Sequence, residues 1–460
     1  MADITFDLDL IKRYDRAGPR YTSYPTAVQF SEDYTQADYE RNAALSNQSG
    51  KALSLYFHLP FCDTICYYCA CNKVITKDRS KAEPYLQRLH KEIAMQAKLF
   101  DPSRKVDQLH WGGGTPTFIS HQQMRTLMDV TRKHFNLHDD DQGEYSIEID
   151  PREVTADSIK LLRDIGFNRM SLGVQDFNPS VQKAVNRIQS EDITLSALQT
   201  ARDTGFKSIS VDLIYGLPLQ TVNSFSETLQ RIIDINPDRI SVFNYAHLPE
   251  LFKPQRRIND AELPSAAEKL DILKMSIEHL TSAGYVYIGM DHFAKPDDEL
   301  AIAQQQGLLY RNFQGYATHA DCDLIGLGIT SIGTVGRSFA QNVKTLDEYN
   351  DRIDSGQLAV FRGVEIDDDD IVRRDAIMKL ICHFKLDIDK FEADNTITFN
   401  QYFSDELGEL KAMADDGLLE LSDQTITVTS KGRLLIRNIC MVFDRYLKKP
   451  EHNRRFSKAI

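Results

Sequence analysis

The sequence predicts an α/β fold in which parallel strands joined by crossover helices build one site, preceded by an arm and followed by an α-rich domain. Three observations carry this expectation. Between Leu53 and about Met290, runs rich in β-formers (LSLYFHL, VDQLHW, YSIEID, RMSLGV, SISVDLIY, RISVFNY, YVYIGM) alternate with helix-like segments. Such alternation implies a doubly wound sheet or a (β/α) barrel. Second, polar and glycine signals sit at the ends of those runs: cysteines after the first, GGGTP after the second, Glu148 and Asp150 closing the third. Gln175 and Asp176 end the fourth, Asp212 lies within the fifth, Asn244 and Tyr245 end the sixth, and Asp291 and His292 follow the seventh. In parallel α/β folds ligands bind at the C-terminal ends of strands, so this many polar ends favour a barrel-like single site over a two-strand crevice. Third, the rhythm fades after about residue 300.

Taken in order, residues 1–45 are polar and contain GPRYTSYPTA, read as an N-terminal arm lying over the protein, with a loosely packed tail as the alternative. Residues 46–300 are expected to form the barrel domain. Its best-marked helix pairs Ser265 with Glu268 as a capping box and carries an apolar stripe of Leu270, Leu273, Ile277 and Leu280. Residues 301–460 are expected to be a mainly helical C-terminal domain. Its acidic stretch EIDDDD (365–370) reads as a solvated loop or helix start rather than a metal site. Beyond it the order helix, hairpin, helix gives a winged-helix-like outline. That outline lacks a dense basic face, so a cover domain is preferred to a DNA binder. The basic tail (Lys448, Lys449, Arg454, Arg455, Lys458) reads as a solvated end.

Composition bounds the function classes. A length of 460 residues allows two or three domains, or one large barrel with an appendage. A formal charge of −13 argues against nonspecific binding to nucleic acid or an anionic membrane. It leaves room for an anionic small molecule, since a few arginines can reverse the field inside a cleft. MADITFDLDLIKRYDRAG lacks the basic start and apolar run of a signal peptide, and no segment approaches the ~20 apolar residues of a membrane span. A soluble cytoplasmic protein is expected, where cysteines serve as thiols, ligands or catalysts. Nothing points to a coiled-coil or repeat assembly, and a monomer is expected.

Four of the seven cysteines, Cys62, Cys66, Cys69 and Cys71, fall in FHLPFCDTICYYCACNK. Thiolates suit zinc, copper(I) or iron–sulfur clusters. Structural zinc closes a tetrahedron with paired knuckles, but Cys322, Cys382 and Cys440 are isolated and distant. The C-x3-C-x2-C core also differs by one residue from ferredoxin spacing. Directly after a first barrel strand, it resembles the signature of radical S-adenosylmethionine (SAM) enzymes. The resemblance implies that three thiolates hold a [4Fe–4S] cluster whose open iron is chelated by SAM. It also implies cleavage of SAM to a 5′-deoxyadenosyl radical that abstracts hydrogen from the substrate.

The ordered set GPRYTSYPTA, HLPFCDTICYYCACNK, LHWGGGTPT, IEIDPRE, LGVQDFN, VDLIYGLP, FNYAHLP, GMDHFAKPDDEL and NFQGYAT, with LLIRNICMVFDRYL beyond, covers nearly the whole chain. Together these motifs resemble the oxygen-independent coproporphyrinogen III oxidases, or coproporphyrinogen dehydrogenases. That family implies a partial (β/α) TIM-like radical SAM barrel. It also implies oxidative decarboxylation of two propionates of coproporphyrinogen III to vinyl groups, giving protoporphyrinogen IX in haem biosynthesis. An electron donor and an electron acceptor, both unidentified, are required.

The resemblance places the cluster on Cys62, Cys66 and Cys69 and leaves Cys71 a non-ligand, with an ordinary buried thiol as the alternative. It implies SAM contacts, to two molecules per chain in the family pattern, from Tyr56, Tyr68, Gly113, Gly114, Thr115, Glu148, Gln175, Arg187, Asp212, Ala246 and Ile332. Tyr56 and Glu148 are also its candidates near the reacting centre. The residues give some of this independently. WGGGTP lacks the G-K-[ST] ending of a phosphate loop, yet its glycines permit close backbone approach to a ligand. Glu148 and Asp150, two apart on a strand, share a face, which alone would also suit a glycosidase pair. Arg187 would suit a carboxylate, or be a surface ion-pair residue. Asp291 and His292 are candidates for the substrate cleft, against a structural role. The alternative functions are a haem chaperone on the same scaffold and an electron-transfer iron–sulfur protein. Chaperone-type relatives lack the Cys71-type cysteine and the RYTSYPTA segment, both present here.

Overall fold

The computed structural model describes residues 4–319 and 322–448, and they fall into two compact units. Of the described residues, one comprises 30–273 and 322–365, the other 4–29, 274–319 and 366–448. Of the basic tail, Lys449, Arg454, Arg455 and Lys458 lie outside the described residues.

The first unit is built on strands β1 (Leu53–Leu59), β2 (Lys105–Gly113), β3 (Glu144–Ile149), β4 (Arg169–Gln175), β5 (Ser208–Tyr215) and β6 (Arg239–Asn244). Each pairs in parallel with the next. Helices Ala82–Ala97, His121–His134, Ala156–Asp164, Glu191–Asp203 and Val222–Ile235 make the crossovers. Their apolar faces explain why they form: in Ala82–Ala97, Tyr85, Leu86, Leu89 and Ile93 are buried at helical spacing. Several starts are fixed by capping boxes, at Ser120, Thr155 and Thr221. β1 is buried along nearly its whole length, which matches a central parallel strand covered on both faces. Six parallel strands joined by crossover helices make a partial (β/α) barrel.

On its other side β1 pairs in parallel with β7 (Asp323–Leu327), followed by antiparallel β8 (Ile332–Val335), β9 (Ser338–Asn342) and β10 (Val360–Glu365). Residues 323–365 thus continue the sheet, whereas the sequence reading grouped 301–460 as mainly helical. These strands are four to six residues long and lack a helical partner between most of them, so periodicity did not reveal them. Helix Gln36–Ser46, capped by Thr35, also belongs to this unit.

In the second unit, residues 14–24 are tied down rather than loose. Arg437 donates to the Gly18 and Pro19 carbonyls, Asn438 donates to the Tyr14 carbonyl, and the buried Tyr21 hydroxyl donates to Asp444. The acidic stretch starts a helix: Asp367 caps Asp368–His383, and Arg445 bonds Asp367 and Asp369. A three-stranded sheet (Lys385–Asp387, Thr425–Val428, Leu419–Leu421) lies among helices Ser404–Asp415 and Ile436–Val442, a winged-helix-like outline. In the first unit the Ser265 hydroxyl accepts the Glu268 N–H at the start of helix Ala266–Ser282, one of the two bonds of the expected capping box.

Candidate active site

Parallel register sets the first row of the site. Tyr56 of β1 stands opposite His110 of β2, which stands opposite Ser146 of β3. The Tyr56 and His110 rings stack at 5.8 Å and 12°, and His110 Nδ1 lies 2.6 Å from Ser146 Oγ. Tyr56 Oη contacts His58 Nδ1 at 3.2 Å, while His58 Nε2 meets the Asn72 carbonyl at 3.0 Å.

One step further along, Glu148 projects from β3, its side chain 47% exposed. Its Oε2 accepts the Gly113 N–H at 3.2 Å and its Oε1 lies 3.3 Å from His110 Nε2. Crowding by protein raises the Glu148 pKa, but His110 and the Gly113 N–H outweigh it and hold the carboxyl below its ordinary value. On the neighbouring strands Ser171 Oγ donates to Asp212 at 2.7 Å, and desolvation pushes Asp212 up to about 6. The two carboxyls are therefore differentiated: one ionised throughout the neutral range, one titrating just below it.

The loop after β1 carries the thiols. Phe61–Cys62 pairs in parallel with Val74–Ile75, fixing both ends of the cysteine loop. Within it the Tyr67 N–H reaches the Val185 carbonyl, Asn186 donates to the Ile65 carbonyl, and Gln255 donates to the Tyr68 carbonyl. The Tyr68 ring packs against Val181, Val185, Leu217, Tyr245 and Ile258. Burial pushes the Cys62 thiol up to about 11, and Cys69 and Cys66 are near enough to add to the shift. Cys69 is shifted down, first by the thiol of Cys71 and then by Lys73; Cys71, on the other side of that contact, is shifted up. Among the described residues no three His, Cys, Asp or Glu side chains already converge on one point as metal ligands.

Charge is concentrated at Cys66. Arg152 and Arg187 each place a guanidinium nitrogen 3.6 Å from its sulfur. Asp150 holds both, with Arg152 as a fork at 3.0 and 2.7 Å and Arg187 at 3.0 Å. Arg187 also donates to the Gly173 carbonyl at 2.5 Å, and its Nε is buried without a partner. The pair with Arg187 and the fork from Arg152 keep Asp150 ionised against its burial.

The glycine segment passes close to this loop. Gly114 N–H bonds the Leu59 carbonyl, Thr115 N–H bonds the Phe61 carbonyl, and Thr115 Oγ1 lies 3.5 Å from Cys62 Sγ. Gly113 adopts φ +112, and a β-carbon there would meet the His58 ring at 2.7 Å. Gln175 ends β4 with φ +69 and leaves its Oε1 buried without a partner, as does Asn244 Oδ1 at the end of β6. Ala246 is exposed just beyond β6, and Ile332 begins β8 opposite Gln341. Asp291 and His292 belong to the second unit, where Asp291 pairs with Arg20 and His292 packs edge-on against Tyr316 at 5.3 Å.

Sequence reasoning passed over His110, His58 and Arg152. HLPFC, LHW and IDPRE displayed all three inside motifs, but lone strand histidines and an arginine after proline look ordinary without their partners.

Comparison with known proteins decides the family. A model of the Radical SAM superfamily matches residues 56–232, and the HemN C-terminal domain model matches residues 366–435. The oxygen-independent coproporphyrinogen III oxidase of Pseudomonas aeruginosa is 54% identical over 458 residues, 99% of each chain. The chain belongs to the oxygen-independent coproporphyrinogen III oxidases. Its counterpart in Salmonella typhimurium is 51% identical over 457 residues, again 99% of each chain. The solved structure described as coproporphyrinogen III oxidase (HemN) from Escherichia coli, a radical SAM enzyme, superposes with a TM-score of 0.92 at 50% identity. That match covers 96% of this chain and 100% of the other.

Membership makes this an enzyme of the radical SAM type, which implies an iron–sulfur cluster and SAM. The donor set fits both groups: soft thiols on one loop, a glycine segment that a β-carbon would obstruct, and unpartnered Gln175 Oε1, Asn244 Oδ1 and Arg187 Nε for a polar ligand. Among the described residues no helix is long and apolar enough to cross a membrane.

Proposed function

We propose that this oxidase converts two propionate side chains of coproporphyrinogen III to vinyl groups without oxygen, giving protoporphyrinogen IX for haem synthesis. The observation that carries the reading is one loop presenting Cys62, Cys66 and Cys69 at the C-terminal end of β1, beside the Gly113–Thr115 segment and the Glu148 and Asp150 carboxylates. Bound there, the cluster and SAM supply the one-electron chemistry that produces a hydrogen-abstracting 5′-deoxyadenosyl radical.

Cys62, Cys66 and Cys69 hold the cluster, and Cys71 remains outside the ligand set. Gly113, Gly114 and Thr115 admit SAM against backbone. Glu148, ionised and already accepting from Gly113, presents its free acceptor capacity to ribose hydroxyls. Tyr56 and Tyr68 flank the ligand with apolar rings that exclude water. Gln175, Arg187, Asp212 and Ala246 line room for a second SAM, with Ile332 packing near the first. Each propionate loses a hydrogen atom from its β-carbon, carbon dioxide, and one electron that passes to an acceptor. The protein acts as a monomer and works in the cytoplasm.

Anaerobic turnover tests this. Reconstituted protein with SAM, reductant and coproporphyrinogen III is expected to release carbon dioxide and protoporphyrinogen IX. Haem transfer without decarboxylation would sink the enzyme reading in favour of a haem chaperone.

A further inference from the structure

Arg152 stands on the short turn after β3, Pro151–Glu153, and its guanidinium is fixed by the Asp150 fork at 3.0 and 2.7 Å. The nitrogen that completes the fork, Nη2, also lies 3.6 Å from Cys66 Sγ. Its side chain is 17% exposed and that of Asp150 11%, so water screens this contact weakly. Arg187 approaches the same sulfur but divides its donors between Asp150 and the Gly173 carbonyl. Two guanidiniums against one carboxylate leave one positive charge facing Cys66.

We infer that Arg152 sets the reduction potential of the iron–sulfur cluster by donating a hydrogen bond to the Cys66 sulfur while Asp150 holds it in position. The assignment rests on the cluster reading above. Hydrogen bonds to cluster sulfurs and the local net charge are the levers a protein has on cluster potential. Reduction adds one negative charge to a site bounded by thiolate. A fixed guanidinium stabilises that added charge at no cost in reorientation, because its fork is already engaged. Without Arg152 the local balance is one guanidinium against one carboxylate, and reduction becomes harder. Arg152 is a positioning and electrostatic residue here; it acts through Cys66.

The test is a redox titration of the anaerobically reconstituted full chain without SAM, followed by the electron paramagnetic resonance of the reduced cluster, with iron and sulfide counted per chain. Arg152→Gln is expected to load iron as the parent does. Its ratio of reduced to oxidised cluster at a fixed potential is expected to fall about tenfold, or about 59 mV for a one-electron couple. Arg152→Lys keeps the charge without the fork, so its shift should be smaller and in the same direction. A fully loaded Arg152→Gln protein with the parent's potential overturns the inference. Loss of the cluster from both variants also overturns it, assigning Arg152 to folding. A parent chain that takes up no iron would instead remove the cluster reading on which the inference rests.

Discussion

Arg187 and Asp150 form an ion pair at 3.0 Å with their side chains only 8% and 11% exposed. Removing Arg187 takes away one of the two guanidiniums on Asp150 and leaves the Arg152 fork, so the loss stays below the about 3–5 kcal/mol of a buried charge left with no partner. Arg187→Ala is therefore expected to lower the thermal midpoint measurably, and to do so in protein without SAM or cluster. Asp150→Ala combined with Arg187→Ala should cost less than the sum of the two single losses. Strictly additive losses in that cycle would show that the two side chains are not coupled. The measurement separates a structural duty of Arg187 from any duty toward a ligand, because no ligand is present.

Gly114 gives a steric prediction. A β-carbon there would stand 2.7 Å from the Pro60 carbonyl carbon and the Phe61 oxygen, both backbone atoms of the segment leading into Cys62. Backbone cannot yield as a flexible side chain does, so Gly114→Ala should cost about 1–3 kcal/mol and displace Cys62. Iron bound per chain after reconstitution should fall with it. Gly408→Ala is the control: nothing lies within 4 Å of that position in helix Ser404–Asp415, and alanine suits a helix interior better. That variant should keep its iron and its midpoint, or gain slightly.

Residues such as these show where the sequence was legible. β1 to β6 were readable because each is a compact β-forming run followed by an amphipathic helix, and the site residues announced themselves as polar exceptions at strand ends. The strands of residues 323–365 were not, because GLGITSIGTV mixes glycine, β-branched and polar residues without either period. The arrangement around Cys66 was invisible for a different reason. Asp150 and Arg152 share one motif, but Cys66 and Arg187 lie far from them in sequence, and only the parallel sheet brings the turn after β3 to the residues beyond β4. Cys71 was read as a non-ligand by resemblance, and its contact with the Cys69 thiol depends on loop geometry that spacing does not determine.

That contact sharpens the test of the cysteine loop. Cys66→Ser should abolish cluster loading, leaving iron per chain near background. Cys71→Ser should retain a loaded cluster with the parent's absorption, since the serine hydroxyl can still reach Cys69 and no ligand is removed. Equal loss of iron from the two variants would place Cys71 among the ligands and overturn its exclusion. Because Cys71 is exposed, its substitution carries little packing cost, so a loss of iron there could not be attributed to misfolding.

Glu92 makes the remaining prediction, which concerns pH. Its carboxyl is fully buried on helix Ala82–Ala97, with Oε2 accepting from the Gly328 N–H and the Tyr349 hydroxyl, each at 2.7 Å, and Oε1 accepting from Asn342 at 2.8 Å. Burial outweighs those three bonds and raises its pKa to about 7. A carboxyl raised on folding keeps its proton in the folded state over the interval where the unfolded chain has already lost it. Stability from this group is therefore greatest below the ordinary carboxylate pKa and declines as pH climbs to about 7, by on the order of 3 kcal/mol. Above that it is constant. Glu92→Gln removes the titration but leaves a residue of the same shape. Whatever fixed change the lost bonds cause, the thermal midpoint of the variant relative to the parent should rise from pH 5 to about pH 7 and level off by pH 8. A difference that stays flat across that range would mean Glu92 is ionised throughout, with its three donors stronger than its burial.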